Sequence, residues 1–285
     1  MEEMDVSAVA VAGLPQTWIL ESDSIDRLLL LPGRRLLGLA RQQVAFASTV
    51  TWMRALKEKK LLPDDPMQVC TVTVLAEGIG HNLPGALATV LDSKTHRGDN
   101  WVGVSRFALD KKEADPYTPF DARVTYMRMH SPAPTWCMLD TVGTGATLVK
   151  GLDALFKNAE KPRRILLATP AGSVAGMRKI AELCWREGVE LHITFFGAAF
   201  GLWVDGTALP WCHPDTIFSG TPRSRRNREL AGELFNNLPG FCSVGDCSAN
   251  FFDVQQALAI LQEEEERFSW KLPADGQLEP ARPST

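Results

Sequence analysis

Met138-Leu139-Asp140-Thr141-Val142-Gly143-Thr144-Gly145-Ala146-Thr147 carries an apolar run, Trp136 to Leu139, into a loop of small residues, and an amphipathic pattern opens at Leu148. That order predicts a buried strand, a turn and a helix. At the carboxyl end of a strand, Gly143 and Gly145 let the backbone turn tightly, so that successive N–H groups and the helix N-terminus converge on an anion. The hydroxyls of Thr144 and Thr147 add donors. Asp140 stands just before this nest, where a carboxylate repels phosphate unless it faces a sugar hydroxyl or a bound cation. The combination points to a phosphorylated sugar. A Gly/Thr-rich turn that only joins a strand to a helix is the plainer reading, and this segment alone leaves it open. The chain has no Gly-x-x-x-x-Gly-Lys-Ser/Thr, and the segment is too compact for Gly-x-Gly-x-x-Gly with a distant acidic partner, which disfavours a nucleoside triphosphatase and a nicotinamide dehydrogenase.

Outward from this segment, short apolar runs of strand length recur at Val69 to Leu75, Trp101 to Phe107, Val124 to Met129, Ile165 to Ala168 and Leu191 to Phe196. Helical patterns at Leu83 to Leu91, Thr147 to Asn158 and Val174 to Glu187 lie between several of them. This alternation predicts an α/β fold with a largely parallel sheet covered on both faces. From Ser24 to Lys60 the apolar spacing is helical, broken once at Pro32-Gly33. The basic run Arg223 to Arg228 reads first as solvated surface, with phosphate binding as its rival, and a helical pattern follows from Phe252 to Phe268.

Composition narrows the functional classes. A net charge of -4 and a pI near 5.8 lack the basic excess of a protein that grips nucleic acid through its phosphates. The acidic N-terminus, Met1-Glu2-Glu3-Met4-Asp5, and the absence of a long apolar run argue against a secretory signal or a membrane span, so a cytoplasmic protein is expected. The 6 cysteines are scattered rather than gathered into a framework, and Cys242 and Cys247 have no second ligand pair to complete a metal site. No Gly-x-Ser-x-Gly elbow supports a serine hydrolase, and Ala171-Gly172-Ser173-Val174-Ala175 is not one. His81 reads as part of a helix-opening turn, and His96, His130 and His192 show no ligand spacing.

With the cradle and its flanking segments in view, the chain resembles the type I phosphoribosyltransferases, whose motif is an apolar strand, acidic residues and Thr-Gly-Gly-Thr/Ser. The uracil phosphoribosyltransferases look closest. Val74-Leu75-Ala76-Glu77-Gly78-Ile79-Gly80 is similar to their Arg-Ala-Gly-Leu diphosphate loop, and Val102 to Arg106 is similar to their strand before a flexible loop. Ile165 to Gly172 looks like their following strand, and Asp205 to Pro210 with Ile217 to Thr221 looks like their base-binding hood. The resemblance implies a type I phosphoribosyltransferase-like α/β fold, a mostly parallel twisted sheet flanked by helices. Its divisions would be a helical lead-in over 1–62, a core with hood over 63–221, and a helical extension with a disordered tail over 222–285.

It also implies transfer of ribose 5-phosphate from phosphoribosyl diphosphate to a pyrimidine-like or other aromatic heterocycle, with Mg2+ on the leaving diphosphate. Thr141, Val142, Gly143, Thr144, Gly145, Ala146 and Thr147 would hold the 5-phosphate and Asp140 the ribose hydroxyls. Arg106 would cover the diphosphate, and a lid from Ala108 to Phe120 would exclude water. Ala76, Glu77 and Gly78 would form the diphosphate loop, with Asp140 and Glu77 as the metal carboxylates, and the chain would pair as a homodimer or higher oligomer. The chain departs from the pattern in two places. Ala76-Glu77 replaces the loop arginine, which opens the alternative of a module that binds a nucleotide or sugar phosphate without transfer. Pro210, Trp211, His213 and Asp215 replace the small residues that read uracil. There Trp211 and His213 either meet the acceptor or serve as core filler and turn cap. A third possibility makes Glu77 or His213 an acid or base for transfer to carbon or oxygen.

Overall fold

The computed structural model describes residues 2–30, 38–75, 78–93, 99–108, 120–130 and 132–235. Ala76, Glu77, residues 109–119 of the expected lid, the Cys242 and Cys247 pair and the helical pattern at 252–268 lie outside the described residues. The apolar runs become strands β3 (Val69–Leu75), β4 (Asp99–Ala108), β5 (Phe120–Arg128), β6 (Thr135–Leu139), β7 (Arg164–Thr169) and β9 (Glu190–Phe196). The helical patterns become α4 (Leu83–Leu91), α5 (Ala146–Asn158) and α6 (Val174–Arg186). Before β3 lie β1 (Met4–Ala8), β2 (Thr17–Ser22), α1 (Asp23–Leu30) and α2 (Gly38–Glu58). The remaining elements are α3 (Gly78–His81), β8 (Gly172–Ser173), β10 (Ala199–Phe200) and α7 (Pro222–Phe235).

The main sheet has eight strands in the order β1-β2-β9-β7-β6-β3-β4-β5. Every pairing from β2 to β4 is parallel, and the two outermost pairs, β1 with β2 and β4 with β5, are antiparallel. The expected α/β architecture, a mostly parallel sheet flanked by helices, is therefore what the chain adopts. One part of the N-terminal expectation differs. Residues ahead of Ser24 were read with the helical lead-in, yet β1 and β2 are strands of the sheet, and β2 pairs in parallel with β9 from Thr17↔Ile193 to Leu20↔Phe196. The Val6 to Leu14 apolar run broken by Pro15 gives no alternation that announces a hairpin, so the pairing depends on the open edge of β9.

Strands buried on both faces must be apolar at consecutive positions, and all five residues of β6 are buried. Successive side chains then serve opposite layers. Cys137 and Leu139 of β6 join Leu166, Phe196, Trp52, Met53, Leu83 and Leu87 under α1, α2 and α4. Trp136 and Met138 join Ile165, Leu167, Ile193, Leu152, Leu155, Met177 and Ile180 under α5 and α6. The Asp65 side chain caps the turn ahead of β3 by accepting from Met67 N at 2.8 Å. Asn82 opens α4 by accepting from Gly85 N at 3.2 Å, so His81 to Gly85 is the helix-opening turn that its sequence suggests. Among the described residues no helix is long and apolar enough to cross a membrane.

The basic run at 223–228 divides: Arg225, Arg226 and Arg228 are exposed, as its reading as solvated surface expects, while Arg223 turns to a structural partner. Arg223 donates to Asp23 at 2.7 Å and to Asp26 at 2.8 Å, and Asn227 donates to Asp26 at 2.6 Å, which ties α7 to α1. Beside this network Glu21, at the end of β2, is fully buried. Its Oε2 accepts from Ser219 at 2.6 Å and Thr221 at 2.8 Å, while Oε1 has no partner among the described residues. Removal from water raises the Glu21 pKa above its ordinary 4.5, and Asp26 and Asp5 push the same way against the two hydroxyls. A carboxyl with a raised folded-state pKa contributes fully below its unfolded value, and that contribution is lost as pH rises through the folded value. Glu21→Gln should therefore raise the denaturation midpoint at neutral pH. Its advantage should shrink as pH falls toward 4.5 and below. Urea titrations of both chains across that range check this, and a gap that does not vary with pH would refute it.

Candidate functional site

The strand order changes direction between β6 and β3. From β3 the chain crosses to β4 on one side, and from β6 it passes through β7 to β9 on the other. The connections after β3 and β6 therefore leave on opposite faces, and a crevice opens beyond their carboxyl ends, where ligands bind open α/β sheets. A cavity of about 380 Å³ occupies this position. Leu75, Val104, Arg106, Asp140 and Thr207 line it together with the loop and first turn from Thr141 to Leu148. Its volume suits a small ligand.

The cradle takes its shape from close backbone packing. Gly145 is the N-cap of α5 with φ +79°, and no side chain caps that helix. The first-turn N–H groups of an α-helix have no intrahelical acceptors; Ala146 N donates to Thr144 Oγ1 at 3.4 Å, and the other first-turn N–H groups of α5 can meet an anion. A Cβ on Gly145 would lie 2.6 Å from the Gly176 carbonyl oxygen, and one on Gly143 would lie 2.9 Å from that of Gly206. Behind the loop, Asp140 N donates to Ala168 O at 3.3 Å, Val142 N to Ala171 O at 2.9 Å, and Ser173 N to Val142 O at 2.7 Å. The cradle is thus laced to the loop between β7 and α6. Asp140, which is 7% exposed, closes β6 and sits at the lip.

Of the residues singled out from sequence, Asp140, Arg106 and Thr141 to Thr147 are brought together around one cavity. Arg106 arrives from β4, and Val104 precedes it on the same strand. Gly78 is buried at the start of α3, where a Cβ would meet Thr73 Cγ2 at 3.3 Å and Leu139 O at 3.6 Å, while Ala76 and Glu77 lie outside the described residues. The hood divides. Its first part reaches the cradle: Asp205 Oδ1 accepts from Thr207 N and Ala208 N, both at 2.8 Å, and the turn so formed presents Gly206 to Gly143 and Thr207 to the cavity.

The second part, Pro210 to Asp215, is not among the residues that line this cavity. Trp211 is 5% exposed and packs edge-on to Phe200 at 5.2 Å and stacked on Phe218 at 6.2 Å. His213 packs edge-on to Trp203 at 5.9 Å, and its Nδ1 accepts from Asp215 N at 3.1 Å. Both residues take the plainer places, core filler and turn cap. His81 is buried under α2, with Nδ1 3.2 Å from Thr49 Oγ1. Burial, with Arg41 nearby, pushes its pKa down to about 4, so the ring is neutral near pH 7. Sequence reasoning passed over Ser173 and Gly176. For Ser173 the signal was present as a Ser immediately ahead of the helical pattern that opens at Val174, the preferred place of an N-cap.

No protein family and no curated protein matches the chain. Among solved structures it is similar to the AQ2163 protein from Aquifex aeolicus, at 13% identity and a TM-score of 0.41 over 61% of this chain and 81% of that one. It is similar to orotate phosphoribosyltransferase from Aeropyrum pernix at 14% identity and a TM-score of 0.33, over 67% of this chain and 87% of that one. A third is adenine phosphoribosyl transferase from Trypanosoma brucei in complex with AMP, pyrophosphate and ribose-5-phosphate, at 13% identity and a TM-score of 0.32 over 54% and 64% of the two chains. Likenesses of this size leave the chemistry to be argued from the chain's own residues.

The steric basis of the cradle is open to test. Gly188 also has a positive φ, +71°, but a Cβ there would meet nothing within 4 Å. Gly188→Ala should therefore cost only the left-handed backbone penalty, about 1 kcal/mol. Gly145→Ala should cost about 2 kcal/mol more, because its new methyl collides with the α6 backbone. Equal losses of unfolding free energy in urea would show that the contact with Gly176 is not a constraint.

Proposed function

We propose that the chain is a phosphoribosyltransferase: it moves ribose 5-phosphate from phosphoribosyl diphosphate to an aromatic heterocyclic acceptor and releases diphosphate. The observation that carries this reading is the convergence of an uncapped helix N-terminus, a lip carboxylate and an arginine on one cavity at the reversal of strand order. The first two suit a sugar phosphate, whose phosphate meets backbone N–H groups while its hydroxyls meet Asp140. The third suits a second, leaving anion. As the bond from the anomeric carbon to diphosphate oxygen breaks, negative charge grows on the departing group, and a guanidinium held across the cavity stabilises that charge. The acceptor nitrogen bonds to the anomeric carbon and gives up its proton to solvent, and diphosphate leaves with the electron pair of the broken bond.

The donor set fits Mg2+ of the kind that arrives with its substrate. Among the described residues no group of three His, Cys, Asp or Glu side chains is placed to hold a metal. Mg2+ usually keeps waters and substrate phosphates and takes only one or two carboxylates. Asp140 would be one, and Glu77 is the candidate for the other. Bound there, Mg2+ would neutralise diphosphate charge.

A second reading has its own support. Ala76-Glu77 follows β3 where the resemblance calls for an arginine, and an acid beside a diphosphate opposes transfer. On that reading the site binds a nucleotide or sugar phosphate for regulation or assembly.

Phosphoribosyl diphosphate with Mg2+, at about 100 times its dissociation constant, should stabilise the chain by about 2.7 kcal/mol in thermal unfolding. Diphosphate release should appear with at least one base of a purine, pyrimidine and pyridine panel. Asp140→Asn and Arg106→Ala should each lower kcat/KM by roughly 100-fold or more. No stabilisation by the diphosphate sugar would sink the transferase reading. Tight nucleotide monophosphate binding without diphosphate release from any base would select the second one.

A further inference from the structure

Ser173 lies outside the cavity, yet its two hydrogen-bond donors hold adjacent carbonyls of the cradle. Its N–H donates to Val142 O at 2.7 Å, and its Oγ donates to Gly143 O at 2.5 Å. The same Oγ accepts from Gly176 N at 2.7 Å and caps α6, and the residue is fully buried. In a planar trans peptide the C=O and the next N–H point in opposite directions. Turning the carbonyls of Val142 and Gly143 back toward Ser173 therefore aims the N–H groups of Gly143 and Thr144 away from α6, toward the cavity that these two residues line.

We propose that Ser173 is a positioning residue for anion binding: it sets the direction of the Gly143 and Thr144 N–H donors and couples the α6 N-terminus to the back of the cradle. This rests on the reading of the cradle as a phosphate site. The fold supplies the coupling at close range, since a Cβ on Gly176 would lie 2.3 Å from Gly143 O and 2.8 Å from Gly145 N. With the hydroxyl of Ser173 accepting from one helix and donating to the loop, the positive end of the α6 dipole reinforces that of α5. Removal of the hydroxyl frees the peptide between Gly143 and Thr144 to rotate and turn its carbonyl toward the anion.

Calorimetric titration of the full chain with ribose 5-phosphate, and separately with inorganic phosphate, tests this. Ser173→Ala should weaken binding of both by about tenfold, and Ser173→Thr, which keeps the hydroxyl, should restore most of it. A role confined to capping α6 would lower the melting temperature of Ser173→Ala and leave the affinity of the folded protein unchanged, and that outcome overturns the proposal. Amide spectra of the wild-type chain give a second measurement that does not depend on the variant folding. On addition of ribose 5-phosphate the largest shifts should fall on Gly143 and Thr144. Shifts elsewhere in 141–148 that spare these two would also overturn it. Wild-type protein that binds neither probe removes the cradle reading itself, whereas binding that Ser173→Ala leaves intact removes only the role of Ser173.

Discussion

Backbone packed directly on backbone, at Gly143 against Gly206 and at Gly145 against Gly176, is the contact on which the rest of the cleft depends. β6 and β7 are parallel neighbours, so the loops that leave their carboxyl ends start side by side at one edge of the sheet. Two loops can close there only where side chains are missing. At Gly145 the left-handed φ and the lack of space make the same demand, because a side chain would meet both a backbone penalty and the α6 carbonyl. With the loops closed, the carbonyls of Val142 and Gly143 face inward to Ser173.

The sheet that creates this edge is stabilised on both sides by largely apolar strands, and two buried acids sit at carboxyl ends of its strands. Asp140 ends β6 and Glu21 stands near the end of β2, both buried. Their surroundings differ in kind. Glu21 is covered by the hydroxyls of Ser219 and Thr221 and faces a raised pKa, which suits a structural acid held toward its neutral form. Asp140 lines an open cavity beside an anion nest, the setting of an acid that meets a ligand. Arg223 of α7 is engaged by Asp23 and Asp26, and the arginine that lines the cleft, Arg106, comes from β4.

Much of the architecture was legible because strands buried on both faces leave an unmistakable trace. Trp136 to Leu139 and Ile165 to Ala168 admit no solvent-facing position, and the helices between them show the longer apolar period. The strand-turn-helix form of this segment was legible for a local reason as well, since glycines between an apolar run and an amphipathic pattern mark a tight turn. The N-terminal strands were less visible: Thr17 to Ser22 mixes polar and apolar residues, and β2 becomes a strand by adding to the open side of β9. At the hood, residue type left two readings open. An indole and an imidazole are equally suited to stack on a ligand or to fill a core, and the direction of Trp211 is set by Phe200 and Phe218, which lie on either side of it in the chain.

By itself, the sequence determined the alternation of strands and helices, the strand-turn-helix character of residues 136–158, and the placement of Asp140 at its turn. These follow from short-range preferences: side-chain period, the conformational freedom of glycine and the burial of consecutive apolar residues. Only the tertiary structure decided which distant segments share the cleft. Leu75, Arg106 and Thr207 meet at the cradle because the strand order reverses between β6 and β3 and because the turn at Asp205 folds back on Gly143. The hydrogen-bond ladder of a parallel strand accepts any neighbour of suitable length, so strand order is not written in local pattern. It is settled by how the helices on each face cover the sheet, and with it the position of the charges that give the cavity its chemistry.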